Sequence, residues 1–182
     1  AQACFTYIFM PVFVISLLSQ FVYQPVISKM ALLWHEKKIS QFNKLILRQI
    51  ALILLLSVAA IIGGYLLGIP VLSLIYGVDL TDYKKALVIL LIGGGALAIV
   101  NFLQMIITVT RKQKLLNIGY LLAFLLFVFG GKTITEKHGM IGISVFYTAV
   151  VMILGAVFIV LTIGIIKGYA NSDGKTVEEK KQ

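Results

Sequence analysis

Long apolar runs separated by short polar connections make up most of this chain. Each uncharged run approaches or exceeds the ~20 residues that a helix needs to cross the hydrocarbon core of a membrane. The pattern therefore predicts an all-α polytopic bundle of five membrane-spanning helices over residues 1–170. The predicted spans are about 3–28, 49–69, 86–110, 115–131 and 140–166. The remaining residues, 171–182, are polar without apolar periodicity and are expected to lack regular structure.

Proline and glycine refine these spans. Pro70 is expected to end or kink the second helix because its nitrogen carries no hydrogen-bond donor, which leaves 71–77 as a short interfacial turn. The glycines at 93–95 are expected to weaken or bend the third span near its outer end. Their role is either that of a hinge or that of permitting close helix packing. Two glycine pairs have the four-residue spacing that lets helices approach closely. They are Gly64 with Gly68, and Gly164 with Gly168.

Composition supports a lipid environment. The 182 residues are 60% hydrophobic and 13% charged, with a mean hydropathy of +1.02. The chain therefore has more apolar surface than a soluble domain of this length could bury. The net charge of +9 lies mainly in the polar connections and the tail, so anionic membrane lipids are the expected partner and nucleic acid is not. Cys4 is the single cysteine and cannot form an internal disulfide.

The distribution of Lys and Arg predicts an orientation. Of sixteen basic residues, the first connection (24–48) holds five, the third (111–114) holds three and the C-terminal segment holds four. Short connections rich in Lys and Arg stay in the cytoplasm. The chain is therefore expected to be a multi-pass protein of the cytoplasmic membrane with a cytoplasmic C-terminus. Because the chain does not begin with Met, and because its first span would enter from outside in a five-span arrangement, it is expected to be a piece of a longer protein.

The first connection admits two interpretations. Apolar residues recur at steps of three and four, with a break at Lys37 and Lys38 and a candidate N-cap at Ser40. This pattern predicts either two amphipathic helices along the headgroups or a simple extension of the neighbouring spans.

Polar residues at membrane depth are the main functional signal. They form one stripe on span one and another on span three, each at helical spacing. The two stripes either line a water-accessible cavity for a polar solute or make interhelical hydrogen bonds. The residues are Ser16, Gln20 and Gln24 on span one, and Asn101, Gln104 and Thr108 on span three.

The sequence contains no obvious candidates for catalytic or metal-binding residues. No Asp, Glu, Lys, Arg or His lies in the middle of a span, so no catalytic residue, metal site or cofactor is predicted. His35 and His138 fall on opposite sides of the membrane in the predicted topology. Asp79 and Asp82 are interpreted as a helix-starting feature before span three.

Several short motifs together resemble bacterial polysaccharide flippases of the multidrug, oligosaccharidyl-lipid and polysaccharide exporter superfamily. The resemblance covers nearly the whole chain. It rests on Gln24-Pro25-Val26-Ile27-Ser28-Lys29, on the basic connection with Phe42, on Gly68-Ile69-Pro70-Val71-Leu72 before Tyr76-Gly77, and on Arg111-Lys112-Gln113. It implies a two-lobed transporter, of which this chain would supply the last five helices of the second lobe.

The resemblance also implies a function. A lipid-linked oligosaccharide of the polyprenyl pyrophosphate type would be turned over to the outer leaflet for polysaccharide or lipopolysaccharide biosynthesis, with the N-terminal lobe as a partner. Arg48 and Arg111 are the candidates to contact the pyrophosphate, because a guanidinium pairs with phosphate oxygens. Gln20, Gln24, Asn101 and Gln104 are the candidates to contact the sugars. The alternatives are a multidrug exporter of the same superfamily and a membrane-embedded enzyme of cell-surface glycan assembly.

Overall fold

A computed structural model describes the backbone of residues 2–77 and 81–179, and the side chains of 6–77, 81, 83–131, 139 and 141–169. These residues form helices, and the described part of the chain contains no strand. The elements are α1 (Gln2–Tyr23), a 3-10 turn (Gln24–Val26), α2 (Ile27–His35), α3 (Ile39–Tyr76), a second 3-10 turn (Thr81–Tyr83), α4 (Lys84–Val109) and α5 (Lys114–Glu179).

The last element, α5, is a hairpin of two arms. Gly139 has non-helical angles (φ 56°, ψ −141°) and separates a first arm, 114–138, from a second arm, 140–179. The arms run antiparallel, since Gly119 lies against Phe158 near the open end and Phe127 stacks edge-on against Phe146 near the turn.

Five segments in the described residues are long and apolar enough to cross a membrane: Thr6–His35, Ile39–Tyr76, Lys84–Val109, Lys114–Gly131 and Ile141–Tyr169. The predicted fold class, an all-α polytopic bundle of about five spans, is confirmed. The chain is a multi-pass membrane protein.

The central helix is α4, and its three consecutive glycines face three different neighbours. A β-carbon on the first would lie 2.7 Å from Thr148 Oγ1 of the second arm, and one on the second would lie 3.3 Å from Val12 Cα of α1. One on the third would lie 3.0 Å from Ser57 Cβ of α3. The helix runs unbroken through residues 93–95. These glycines therefore serve close packing.

Aromatic contacts define the two ends of the bundle. Tyr7 at the start of span one stacks on Tyr76 at the end of α3, with ring centroids 4.1 Å apart. At the opposite end, Trp34 of α2 packs on Tyr169 of the second arm at 4.5 Å. Arg111 of the third connection lines a cavity together with Trp34 and Tyr169. The first connection, the third connection and the end of span five therefore share one end of the molecule, which we call the basic end.

Two boundary predictions in α3 are wrong. Pro70 lies inside the helix, which continues to Tyr76 and ends at Gly77 with a left-handed φ of 65°, so residues 71–76 are not a turn. Neighbouring groups can satisfy backbone atoms freed by proline in a membrane helix. The helix also begins at Ile39, before the expected N-cap at Ser40. At 38 residues it is about 57 Å long, so its first turns extend span two beyond the hydrocarbon.

Two further expectations are corrected. Helix α5 continues to Glu179, although residues 171–182 were expected to lack regular structure. This tail has no proline, and its Lys and Glu residues have good helix propensity. Gly164 and Gly168 face open space rather than a neighbouring helix, whereas Gly64 and Gly68 do pack, against Leu91 and Leu87. Asp79 and the side chains of Asp82 and His138 lie outside the described residues.

Candidate functional site

The two polar stripes meet at the α1–α4 interface. Asn101 Nδ2 donates a hydrogen bond to Ser16 Oγ over 2.9 Å. The two helices run parallel there, since Gly94 of α4 lies against Val12 of α1, and these residues precede Asn101 and Ser16 by about two turns and one turn respectively. The stripe of span one therefore faces the stripe of span three at the same depth, as both sequence interpretations require.

A groove of about 430 Å³ follows this contact toward the basic end. We call it the polar groove. Its amide and hydroxyl side chains lie among a few apolar ones, and it is open on one side. The lining residues are Gln20, Tyr23, Ile27, Asn101, Gln104, Met105, Thr108 and Val109.

Hydrogen bonds occupy part of the groove's polar surface. Tyr120 of the first arm donates its hydroxyl to Gln104 Oε1 at 2.6 Å, and Thr108 donates to the Gln104 carbonyl within its own helix at 2.9 Å. The Gln20 amide makes no hydrogen bond to any described residue. Interhelical bonding therefore accounts for some of the polar residues, and others present donors and acceptors to the groove.

The predicted site residues divide into two sets. Gln20, Asn101 and Gln104 come together in the polar groove. Gln24 lies in the exposed 3-10 turn and does not line it. Arg48 is exposed on α3, also outside the groove.

Arg111 lies just beyond the groove at the basic end. It lines a small cavity of about 350 Å³ with Trp34 and Tyr169, and Val109 borders both this cavity and the polar groove. Its φ of 58° is left-handed, which is uncommon for a residue other than glycine.

The backbone around Arg111 explains that conformation. The N–H of Lys112 bonds to the Ile107 carbonyl at 3.1 Å and the N–H of Arg111 bonds to the Thr108 carbonyl at 3.0 Å. This pair of bonds is a Schellman motif that closes α4, and it places Arg111 at the position where glycine is most common.

The first connection repeats the geometry. Lys37 has φ 59°, and its N–H bonds to the Trp34 carbonyl at 3.3 Å while the N–H of Lys38 bonds to the Leu33 carbonyl at 3.0 Å. Helices α2 and α4 therefore end in the same motif with a basic residue at the left-handed position. A positive charge there complements the negative end of the helix dipole.

Sequence reasoning missed two residues near these features. Tyr120 was not singled out, although a phenol at membrane depth needs a hydrogen-bond partner. Gln49 is 5% exposed and its Oε1 has no partner among the described residues. The signal for Gln49 was its place in the apolar repeat of α3, where Phe42, Ile46, Gln49, Ile53 and Ser57 form the buried face.

The chemistry available in the polar groove is hydrogen bonding. Its described lining contains amides, hydroxyls and the Tyr23 phenol, and no carboxylate, ammonium, guanidinium or imidazole group. Groups of this kind bind neutral polar solutes such as sugars, whose hydroxyls both donate and accept. No metal-binding cluster of His, Cys, Asp or Glu occurs among the described residues.

The chain was compared with models of protein families, with curated proteins and with solved structures, and none of them matches it.

Proposed function

We propose that this chain forms part of a membrane transporter that flips a lipid-linked oligosaccharide across the cytoplasmic membrane for polysaccharide biosynthesis. The observation that carries the proposal is the convergence of Gln20, Asn101 and Gln104 on one groove inside a membrane bundle. Burying sugar hydroxyls in a bilayer is costly unless other polar groups replace their water. The amides of the polar groove supply such groups.

The anionic part of the substrate requires a different partner. Arg48 and Arg111 are the residues proposed to bind the pyrophosphate, because a guanidinium donates paired hydrogen bonds to phosphate oxygens. Arg111 adjoins the polar groove through Val109. Arg48 is exposed and does not line the groove, so its contribution depends on further helices of a two-lobed transporter.

The orientation belongs to the same proposal. The basic end carries the first and third connections, which hold eight of the sixteen Lys and Arg residues. By the positive-inside rule this end is cytoplasmic, as is the C-terminus. The substrate would then meet Arg111 and the mouth of the polar groove from the cytoplasmic leaflet.

Cysteine accessibility tests whether the groove is a solute path. In a Cys4→Ala background, Gln20→Cys and Gln104→Cys should react with a small water-soluble thiol reagent in membranes. Two controls, Leu103→Cys and Leu18→Cys, should stay unreactive. Leu103→Cys is shielded because Leu103 is 2% exposed. Leu18 is 43% exposed, but it lies on an apolar surface beside α3, where a thiol does not ionise to the reactive thiolate. Equal inertness of all four would leave only interhelical hydrogen bonding as the role of the stripes.

Surface glycan tests the substrate class. In a flippase-deficient bacterial strain, the complete transporter with Asn101→Leu and Gln104→Leu should restore roughly tenfold less surface glycan, since two polar contacts are lost. Thr148→Val is the matched control, because Thr148 bonds to the Ile89 carbonyl far from the groove. Full restoration by the double variant would contradict the proposal.

The two alternatives predict different results. A multidrug exporter would confer drug resistance that is sensitive to the same groove substitutions without changing surface glycan. A membrane-embedded enzyme would leave unlinked glycan precursors when inactivated, and its activity would depend on ionisable residues outside the polar groove.

The 182 residues expressed alone should not restore surface glycan, whereas co-expression with the remaining helices of the transporter should restore it.

A further inference from the structure

A larger groove lies at the basic end and shares no lining residue with the polar groove. We call it the basic groove. It has a volume of about 1130 Å³ and lies between the end of α2, the third connection and both arms of α5. Its lining residues are Trp34, Arg111, Lys112, Gln113, Lys114, Leu115, Val160, Leu161, Gly164, Ile165, Gly168 and Tyr169.

One end of the basic groove is cationic. Arg111, Lys112 and Lys114 line it together, and no acidic residue is among the lining residues. The acid nearest in sequence to Trp34, Glu36, is paired with Lys38 at 2.7 Å. Three cations without a described counter-ion favour an anionic ligand.

The rest of the groove is apolar and extends into the membrane. Its wall on the second arm runs from Tyr169 to Val160, which is about 13 Å of helix and close to half of the ~30 Å hydrocarbon core. Gly164 and Gly168 lie four residues apart on this wall, and a β-carbon on either would meet nothing within 4 Å. The missing side chains therefore leave a channel one leaflet deep.

Aromatic side chains stand where the polar and apolar parts meet. Trp34 and Tyr169 pack at 4.5 Å and both line the groove. Tryptophan and tyrosine rings at this depth are typical of the membrane–water interface.

We propose that the basic groove is a binding site for one anionic glycerophospholipid. Its phosphate lies against Arg111, Lys112 and Lys114, and an acyl chain lies along Gly164 and Gly168. A soluble anion would not use the apolar wall. A zwitterionic lipid is disfavoured, because the cation of its headgroup would be repelled by Arg111, Lys112 and Lys114. This inference does not depend on the proposed transport of an oligosaccharide.

Trp34 provides the test, because it is the only tryptophan in the chain. The chain is reconstituted in vesicles of phosphatidylcholine and phosphatidylglycerol in which one or the other lipid carries brominated acyl chains, which quench tryptophan on contact. Brominated phosphatidylglycerol should be preferred over brominated phosphatidylcholine at the Trp34 site by at least about fivefold, since each nearby cation favours an anionic lipid. Equal quenching by both lipids would overturn the proposal.

Two variants separate the headgroup and chain contacts. Arg111→Gln/Lys112→Gln/Lys114→Gln should reduce the preference to about one. Lys29→Gln/Lys37→Gln/Lys44→Gln removes equal charge from the same end, leaves the Lys38–Glu36 ion pair intact and should preserve the preference. Gly164→Leu/Gly168→Leu should fill the channel and lower quenching by either lipid. Gly63→Leu is its control, because Gly63 also faces open space but lies on α3.

The remaining outcomes are also decisive. If the three-glutamine variant kept the native preference, the cations would not bind the lipid and the proposal would be wrong. If millimolar inorganic phosphate abolished the preference, the site would be one for a free anion. No oligosaccharide lipid is present in the vesicles, so failure here is distinguishable from failure of the proposed transport.

Discussion

Asn101 donates a hydrogen bond to Ser16 across 85 residues of sequence, and the glycine-rich part of α4 sets the register that allows it. Gly94 lies against Val12. Ser16 follows Val12 by four residues on α1, and Asn101 follows Gly94 by seven residues on α4. Both steps return to the same face of the helix. Close approach at Gly94 therefore aligns the two polar stripes about one turn later in α1 and two turns later in α4.

A double-mutant cycle measures this bond. Ser16→Ala and Asn101→Leu should show a coupling of about 0.6 kcal/mol in the free energy of unfolding in detergent, the typical value for a hydrogen bond between membrane helices. The control cycle pairs Asn101→Leu with Ser19→Ala. Ser19 is buried but bonds to the Ile15 carbonyl of its own helix at 2.9 Å, so this cycle should show no coupling. Equal coupling in both cycles would mean that the Asn101–Ser16 bond is not specific.

The sequence was sufficient for the number of spans, which depends on apolar length, and for the faces of the two stripes apart from Gln24, which depend on helical periodicity. Gln24 departs from its stripe because the α-helical period ends at the 3-10 turn. The contact between the stripes was not predictable, since it depends on which helix packs against Gly94. The end of α3 was not predictable from Pro70, because neighbouring groups in a membrane bundle can satisfy the backbone atoms that a proline frees. The basic groove was missed since the Gly164–Gly168 spacing looks the same whether or not a helix covers it.

Topology gives the next prediction. Ser40→Cys and Gln113→Cys, both exposed at the basic end, should be shielded from an impermeant thiol reagent in intact cells and should react after permeabilisation. Thr81→Cys, which is exposed in the 3-10 turn between α3 and α4 at the opposite end, should react without permeabilisation. The opposite labelling pattern would place the basic end outside and would contradict the proposed orientation.

Glycine substitution tests the packing of α4. Gly94→Ala places a β-carbon 3.3 Å from the Val12 backbone, which cannot rotate away, and should lower the free energy of unfolding by about 1–3 kcal/mol. Gly63→Ala adds a methyl group where nothing lies within 4 Å and should be neutral or stabilising. Chemical unfolding in detergent compares the two. If both variants unfolded at the native midpoint, α1 would not pack closely on α4.

Arg111 allows stability and binding to be separated. Glycine at its left-handed position relieves a cost of about 1–2 kcal/mol, but it loses about 0.5–1 kcal/mol through the greater freedom of the unfolded chain and a similar amount through the lost charge at the helix C-terminus. These effects nearly cancel, so Arg111→Gly should unfold within about 0.5 kcal/mol of the native chain while its Trp34 preference for brominated phosphatidylglycerol falls. Lys37→Gly makes the same change in the matching motif of α2 without altering a lining residue of the basic groove, and should keep the preference. If only Arg111→Gly loses the preference, the effect is due to the Arg111 charge at the third connection. A basic residue at the left-handed position of α4 then serves lipid binding. An equal loss in both variants would instead assign the effect to the total charge of the basic end.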